Sequence, residues 1–197
     1  MNRNLKTSEL TFMGVMLALT IVFVALTAIP TTSASMALLI FLPTIITSII
    51  YGPKSGAVMG FLAGFVTLLR ALLAPASPLD YLFINPFVAV LPRIFVGVVP
   101  YFVYVFLKKI IKSKTASLLI AGASGALTNT VLVIFMLYLV YNEEIVKIST
   151  EFGIGTTFAA FAIFLVTTSS LIECSAAGIG TAAVVNVYHK INKQEGQ

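Results

Sequence analysis

Long apolar stretches follow one another along the whole chain, with only short polar connections between them. They lie at about residues 9–29, 36–50, 55–73, 81–107, 115–141 and 155–189. A helix needs about 20 apolar residues to cross a bilayer core, so six spans account for most of the 197 residues. Only 10% of the residues are charged, against roughly 25% in soluble domains. The sequence therefore predicts an all-α integral membrane protein, a bundle of six transmembrane helices forming one substrate-binding domain over residues 1–197.

The basic residues are distributed unevenly among the connections. Both tails and the connections after the second and fourth stretches carry most of them: Arg3, Lys6, Lys54, Lys108, Lys109, Lys112, Lys114, Lys190 and Lys193. The connections after the first, third and fifth stretches carry Lys147 together with four acidic residues, Asp80, Glu143, Glu144 and Glu151. The positive-inside rule puts the basic side in the cytoplasm, so both termini are predicted to be cytoplasmic. This topology explains the net charge of +5, and no nucleic-acid partner is predicted.

Arg93 interrupts the fourth apolar stretch. A guanidinium keeps its proton in proteins, so at membrane depth it requires an anion, carbonyl groups or a watery cavity beside it. Pro86 and Pro92 in the same stretch break the helical ladder, which lipid tolerates only where the freed backbone groups line a protein-enclosed cavity. We therefore expect a binding site around Arg93, with Asn85 as a second contact.

Further polar side chains interrupt other stretches. The ionic and amide groups among them are costly to place in hydrocarbon, whereas a threonine hydroxyl can bond to its own helix. These side chains are Arg70 near the outer end of the third, Thr128 and Asn129 in the fifth, and Glu173 in the sixth. Arg70 is open to a second interpretation, snorkelling to the outer interface. Glu173 is equally open to serving as a structural counter-ion to an arginine. An arginine fork matches a carboxylate, and an asparagine amide both donates and accepts. The set predicts a site for a small anion with other polar groups.

Small residues recur at four-residue spacing in two of the stretches. Gly56, Gly60 and Gly64 form such a pattern in the third, and Gly14 with Ala18 forms a shorter one in the first. These patterns let helices approach closely. We expect the glycine pattern to pack inside the bundle, and the first stretch to face an external partner.

Several chemistries have no counterpart in the sequence. The segment from Gly52 to Gly56 lacks the order of a phosphate-binding loop, and no H-E-x-x-H motif, paired intramembrane aspartates or Ser/His dyad occurs. The single cysteine, Cys174, lies within the last stretch and rules out a disulfide within the chain. We therefore predict a binding protein that is no enzyme, with no catalytic residue, cofactor or metal site.

Two runs resemble one family, the substrate-binding S components of energy-coupling factor (ECF) vitamin transporters. The first is Y-G-P-K-S-G-A-V-M-G, from Tyr51 to Gly60, and the second is N-P-F-V-A-V-L-P-R-I-F-V-G, from Asn85 to Gly97. The resemblance covers most of the chain, and the second run looks most like the pantothenate-type members. It implies a high-affinity vitamin-binding subunit of an ABC importer in a prokaryotic cell membrane.

The resemblance also implies how such a subunit works. A membrane-embedded coupling protein contacts small residues of the first span, here Gly14 and Ala18, with Val22 at the next position of the pattern. Two cytosolic ATPases drive this partner, and toppling of the whole bundle in the bilayer delivers the vitamin. The loops at Thr31 to Ser35 and Ala74 to Asp80 are implied to form an outer lid. Pantothenate, with one carboxylate, two hydroxyls and an amide, suits the predicted site.

Other functions stay open at the level of sequence. The bundle is also compatible with folate, pyridoxine or riboflavin, although the absence of tryptophan weighs against a flat flavin-like ligand. An autonomous proton-coupled carrier would use Glu173 as its relay, and a membrane scaffold would bind no ligand.

Overall fold

The computed structural model describes residues 3–27, 39–76 and 80–195. Within these ranges the chain is helical and contains no strand. Five helical segments are long and apolar enough to cross a membrane: Thr7–Leu26, Pro53–Leu73, Pro86–Ile110, Lys114–Glu151 and Phe158–Ile191. The loop from Thr31 to Ser35, which the family resemblance implies as part of a lid, lies outside the described residues.

The first three helices follow the predicted order. Helix α1 is Arg3–Leu26, α2 is Leu42–Tyr51 and α3 is Pro53–Leu73. Helix α2 is the short apolar segment expected from the sequence, and its seven buried residues lie inside the bundle. Gly52 joins α2 to α3 with a φ of +99°, a conformation that glycine adopts readily and other residues rarely do. Pro53 then occupies the first turn of α3, where its missing N–H has no partner to lose.

The fourth span is divided into three short helices, as its prolines predicted. A 3-10 turn at Asp80–Ile84 leads into α4 (Pro86–Ala89), α5 (Leu91–Val96) and α6 (Val99–Ile110). Each of the three helices has a proline in its first turn. Because proline cannot continue a preceding helical ladder, each one restarts the helix. The break between α4 and α5 lies next to Arg93.

The fifth span is longer than the sequence indicated. Helix α7 extends over Lys114–Glu151, with non-helical dihedral angles at Tyr141, where the predicted span ended. Its 38 residues correspond to about 57 Å of helix, nearly twice the roughly 30 Å hydrocarbon core. The part beyond Tyr141 contains Glu143, Glu144 and Glu151 and is more highly charged than the part before it.

The last span contains a change of helix type. Helix α8 (Phe158–Leu165) passes into a π-helical turn at Val166–Ser170, and α9 (Leu171–Glu195) continues from it. A regular single helix was expected from the sequence. A π turn closes hydrogen bonds from residue i to i+5 and therefore holds one more residue than the α turn that it replaces.

The glycine pattern of α3 packs inside the bundle, as predicted. A methyl group added at Gly56 would overlap the carbonyl oxygen of Gly97, and one at Gly60 would overlap that of Arg93. At Gly64 the nearest atom would be the Cα of Val90, at 2.7 Å. Helix α3 is therefore in backbone contact with the broken fourth span, and it fixes the depth of Arg93 in the bundle.

Candidate ligand-binding site

A cavity of about 220 Å³ lies inside the bundle, where the broken fourth span faces α7 and the last span. It is lined by Ile40, Phe41, Leu82, Phe83, Arg93, Asn129, Thr130, Val133, Ile134, Leu137, Phe161, Leu165 and Glu173. Arg93, Asn129 and Glu173 come from three different spans, and the sequence predicted all three as site residues. The other walls are largely apolar, which is typical of small-molecule sites with a few placed polar groups.

Arg93 is held at the cavity wall by neighbours from its own span. Its side chain is 6% exposed, and Nη1 donates a hydrogen bond of 2.9 Å to the carbonyl oxygen of Val88 in α4. The guanidinium carbon lies 5.2 Å from the ring centroid of Phe83, within range of a cation–π interaction. Nε has no hydrogen-bond partner. The group is thus oriented by the broken helix and retains a donor for an anion.

Asn129 supplies a buried amide on α7. Its side chain is 7% exposed, and Oδ1 has no hydrogen-bond partner. A buried carbonyl oxygen without a donor is destabilising by about 1–3 kcal/mol. A ligand with a hydroxyl or N–H group would satisfy it. The unpartnered oxygen therefore indicates a binding position.

Glu173 brings a carboxylate to the same cavity from α9. It interacts electrostatically with the buried Arg93, so the pair keeps the formal charge of the cavity close to zero when both are ionised. Glu173 is therefore placed both to neutralise Arg93 and to contact a ligand. The described residues contain no cluster of three or more groups that could hold a metal ion.

The structure places Arg70 away from this cavity. Its Nη1 lies 2.6 Å from Oδ1 of Asp80, and Nη2 donates to the carbonyl oxygen of Thr27 at 2.9 Å. Oδ2 of Asp80 in turn accepts a hydrogen bond from the backbone N–H of Ala76 at 2.6 Å. Arg70 therefore joins the end of α1 to the connection after α3, and neither snorkels freely nor lines the cavity with Arg93.

Asn85 and Thr128 are also absent from the cavity wall. The Asn85 side chain caps α4 by accepting a hydrogen bond from the N–H of Phe87 at 3.0 Å. The Thr128 hydroxyl donates to the carbonyl oxygen of Ser124 on its own helix at 2.7 Å. In the described part of the chain the local backbone uses both side chains, and neither lines the cavity with Arg93. Any direct contact with a ligand stays a prediction for these two and for Arg70.

Three contributors to the site were not predicted from the sequence. Phe83 lies against the guanidinium of Arg93, and Ser170 donates a hydrogen bond of 3.2 Å to the Thr130 hydroxyl beside Asn129. Helical periodicity gives no signal for these three residues. It does mark Val133 and Leu137 of the cavity wall, which follow Asn129 at four-residue spacing on the buried face of α7. No local pattern pairs Ser170 with Thr130, since the contact joins residues 40 positions apart.

A larger crevice of about 820 Å³ lies next to the cavity and shares Phe161 and Leu165 with it. Its remaining lining residues are Ile148, Phe152, Gly153, Ile154, Ala160, Ile163 and Phe164. None of them is charged, so this crevice offers no group that would select an anion. The smaller cavity is the better candidate.

The whole chain was also compared with known proteins. Residues 8–185 match the family described as the substrate-specific component of ECF transporters. The chain therefore belongs to the family of ECF transporter S components. It is similar to the pantothenic acid transporter PanT of Lactococcus lactis subsp. cremoris, with 35% identity over 162 residues. The alignment covers 75% of this chain and 74% of that relative.

Family membership defines the class of protein. The chain is a vitamin-binding S component, a multi-pass protein of a prokaryotic cell membrane. The family and the Lactococcus relative are transporters, so the expected role is binding and transport of a small molecule. The resemblance noted from the two sequence runs is confirmed.

Proposed function

We propose that this S component binds pantothenate in the 220 Å³ cavity and delivers it across the membrane. The observation that carries the proposal is the meeting of Arg93, Asn129 and Glu173 in that one cavity. The relative from Lactococcus, which is named as a pantothenic acid transporter, favours this vitamin over others.

The chemistry of the cavity suits this ligand. The carboxylate of pantothenate would accept hydrogen bonds from the Arg93 guanidinium, whose Nε has no partner. A hydroxyl or amide N–H of the ligand would donate to the unpartnered Oδ1 of Asn129. The apolar walls would contact its dimethyl group.

The size of the cavity also favours a small vitamin. Its volume of 220 Å³ is below the roughly 300–1,000 Å³ typical of sites for drug-sized ligands. Folate and riboflavin each contain roughly twice as many non-hydrogen atoms as pantothenate. Only the smaller molecule could contact all the walls of the cavity at once and gain binding free energy from each of its atoms.

Delivery would depend on partner proteins. Gly14 and Ala18 are exposed on α1, where an added methyl at Gly14 meets no atom within 4 Å. On the opposite side of the helix, Phe12 and Met16 pack against the core of the bundle. We infer that the exposed small residues contact a membrane-embedded coupling protein driven by two cytosolic ATPases, and that the bundle delivers its ligand by toppling.

The proposed topology has six spans in a single domain, with α2 as the short sixth membrane element and both termini in the cytoplasm. The distribution of basic residues supports this orientation. The cavity would then lie toward the outer side, because Leu137 in its wall is close to the acidic extension of α7, which this topology assigns to the side opposite the termini.

Binding is tested by titrating pantothenate into the detergent-purified protein and measuring heat and thermal stability. We expect saturable binding that raises the unfolding temperature, since a ligand selective for the folded state stabilises it. Arg93→Ala should weaken binding by roughly ten-fold to a hundred-fold, because a charge-assisted hydrogen bond contributes about 1.5–3 kcal/mol. Lys108→Ala removes an exposed cation instead and serves as the matched control.

A second pair of variants tests the amide. Asn129→Ala should weaken binding, whereas Asn186→Ala, on the exterior of α9 with a hydrogen bond to Thr115, should not. Wild-type affinity in a folded Arg93→Ala protein would contradict the proposal. So would ATP-independent uphill uptake of pantothenate by the purified chain in liposomes.

A further inference from the structure

The π-helical turn between α8 and α9 separates residues that line the same cavity. Phe161 and Leu165 precede the turn, Glu173 follows it, and all three contact the cavity. In a regular α-helix these positions would not share a face.

Successive residues of an α-helix are rotated by roughly 100° about the axis. Leu165 would thus lie about 40° from Phe161, and Glu173, eight residues later, about 120° from Phe161. The π turn accommodates one extra residue, so only seven residues count toward the rotation. Glu173 then falls about 20° from Phe161, on the same face as both apolar side chains.

The π turn is also hydrogen-bonded to α7, which forms another wall of the cavity. Ser170, its last residue, is 4% exposed and donates a hydrogen bond to Thr130 at 3.2 Å. Thr130 lines the cavity next to Asn129 and itself donates to the carbonyl oxygen of Ala126. The end of the π turn is therefore held beside the residue that carries the unpartnered amide oxygen.

The cavity lining offers acceptor oxygen atoms of two kinds. Oδ1 of Asn129 has no partner, and the Glu173 carboxylate adds further acceptors. Arg93 provides the cationic group. A ligand that complements this set of groups carries a carboxylate together with hydroxyl or N–H donors.

From this geometry we propose that the π turn sets the rotation of α9 so that Glu173 accepts hydrogen bonds from ligand hydroxyl groups and determines specificity for them. This inference rests on the proposed binding of pantothenate and deepens it. Glu173 is the specificity-determining contact, and the turn with the Ser170–Thr130 hydrogen bond is the positioning element.

The first test compares two ligands on wild-type protein and Glu173→Gln. The probes are pantothenate and its dideoxy analogue, which keeps the carboxylate, amide and carbon skeleton and lacks both hydroxyls. We expect Glu173→Gln to bind pantothenate roughly ten-fold to a hundred-fold more weakly, the range for hydrogen bonds to a charged group. The substitution also removes the negative charge beside Arg93, which affects the shared carboxylate of both ligands alike. The affinity for the analogue should therefore fall much less than the affinity for pantothenate, or rise.

The second test examines the rotation directly. Deleting Thr168 should convert the π turn into an α turn and leave both flanking helices in register, so pantothenate binding should be kept within about three-fold. Inserting an alanine after Thr168 should rotate Glu173 away by roughly 100° and weaken binding at least ten-fold. At Ile179, inside regular helix, the same deletion and the same insertion should each rotate the C-terminal part of α9 by roughly 100°. Both changes should therefore lower the unfolding temperature.

Three results would overturn the inference. They are an equal loss of affinity for both ligands in Glu173→Gln, no loss for either ligand, and equal losses for the deletion and the insertion at Thr168. Size-exclusion elution and unfolding temperature verify that each variant is folded. If the insertion variant does not fold, the two-ligand comparison with Glu173→Gln tests the inference. If the wild-type protein binds neither probe, the proposed function itself is wrong.

Discussion

Gly60 of α3 lies against the carbonyl oxygen of Arg93, so closely that a methyl group added to the glycine would overlap that oxygen. The contact joins two backbones, and no flexible side chain is available to move aside. Arg93 thus owes its position in the cavity wall to a neighbouring helix that contributes no side chain there.

Gly60→Ala should therefore lower both stability and ligand affinity. Overpacking of a close contact is destabilising by about 1–3 kcal/mol, and α5 must shift to accommodate the methyl group. Thermal unfolding and pantothenate titration in detergent measure the two effects. Gly14→Ala is the matched control, because an added methyl there meets no atom within 4 Å. Identical behaviour of the two variants would contradict the backbone contact.

The ion pair between Arg70 and Asp80 should support the fold without contacting the ligand. Both side chains are largely buried, at 14% and 13% exposure. Removing one partner of a buried pair costs up to about 3–5 kcal/mol, so Asp80→Asn should unfold at a lower detergent concentration in an SDS titration.

The double variant Arg70→Gln/Asp80→Asn provides the control for this pair. It should be less destabilised than the sum of the two single variants, because no buried charge is left unpaired. Its affinity for pantothenate should match the wild type. A loss of binding in the folded double variant would instead support the sequence-based prediction that Arg70 contacts the ligand.

Ala18→Leu should weaken assembly with the coupling protein and leave ligand binding unchanged. Ala18 is exposed on α1, and a bulky side chain prevents the close approach of helices that small residues allow. Co-purification of the complex and pantothenate titration measure the two properties. Ala183→Leu, at an exposed position on α9, should assemble normally. Reduced ligand binding in Ala18→Leu would place this face of α1 inside the bundle.

The proposed orientation predicts which cysteines are accessible from outside the cell. In a Cys174→Ala background, Thr156→Cys should react with an impermeant maleimide in whole cells, because the exposed connection after α7 is assigned to the outer side. Lys112→Cys, exposed in the connection after α6, should react only after lysis. The reverse pattern would invert the topology.

Much of the fold was predictable because its determinants are local. Apolar length predicted the spans, and prolines predicted the interruption of the fourth span. The extension of α7 past Tyr141 was missed. The length of an apolar stretch predicts how much of a helix crosses the bilayer, but it does not predict how far the helix continues beyond the apolar stretch.

The candidate site was predicted in part. Arg93, Asn129 and Glu173 were recognised because ionic and amide groups are costly in an apolar span. The same criterion selected Arg70, which turned out to pair with Asp80, and it did not reveal that Asn85 caps α4. Thr128 bonds to its own helix, as a threonine in a span can. The free-energy cost of placing a polar side chain in hydrocarbon indicates that the residue needs a partner, but it does not indicate which residue or ligand that partner is.

The sequence by itself determined the membrane environment, the helical class and the family, because hydrophobic length, proline positions and short motifs are properties of neighbouring residues. Tertiary structure alone decided which polar groups share a cavity. Gly60 against Arg93, Ser170 on Thr130 and the π turn before Glu173 each join or rotate parts of the chain that are separate in sequence. The physical reason is that a helix fixes the direction of a side chain only relative to its own axis, whereas packing between helices fixes how those axes are rotated and spaced.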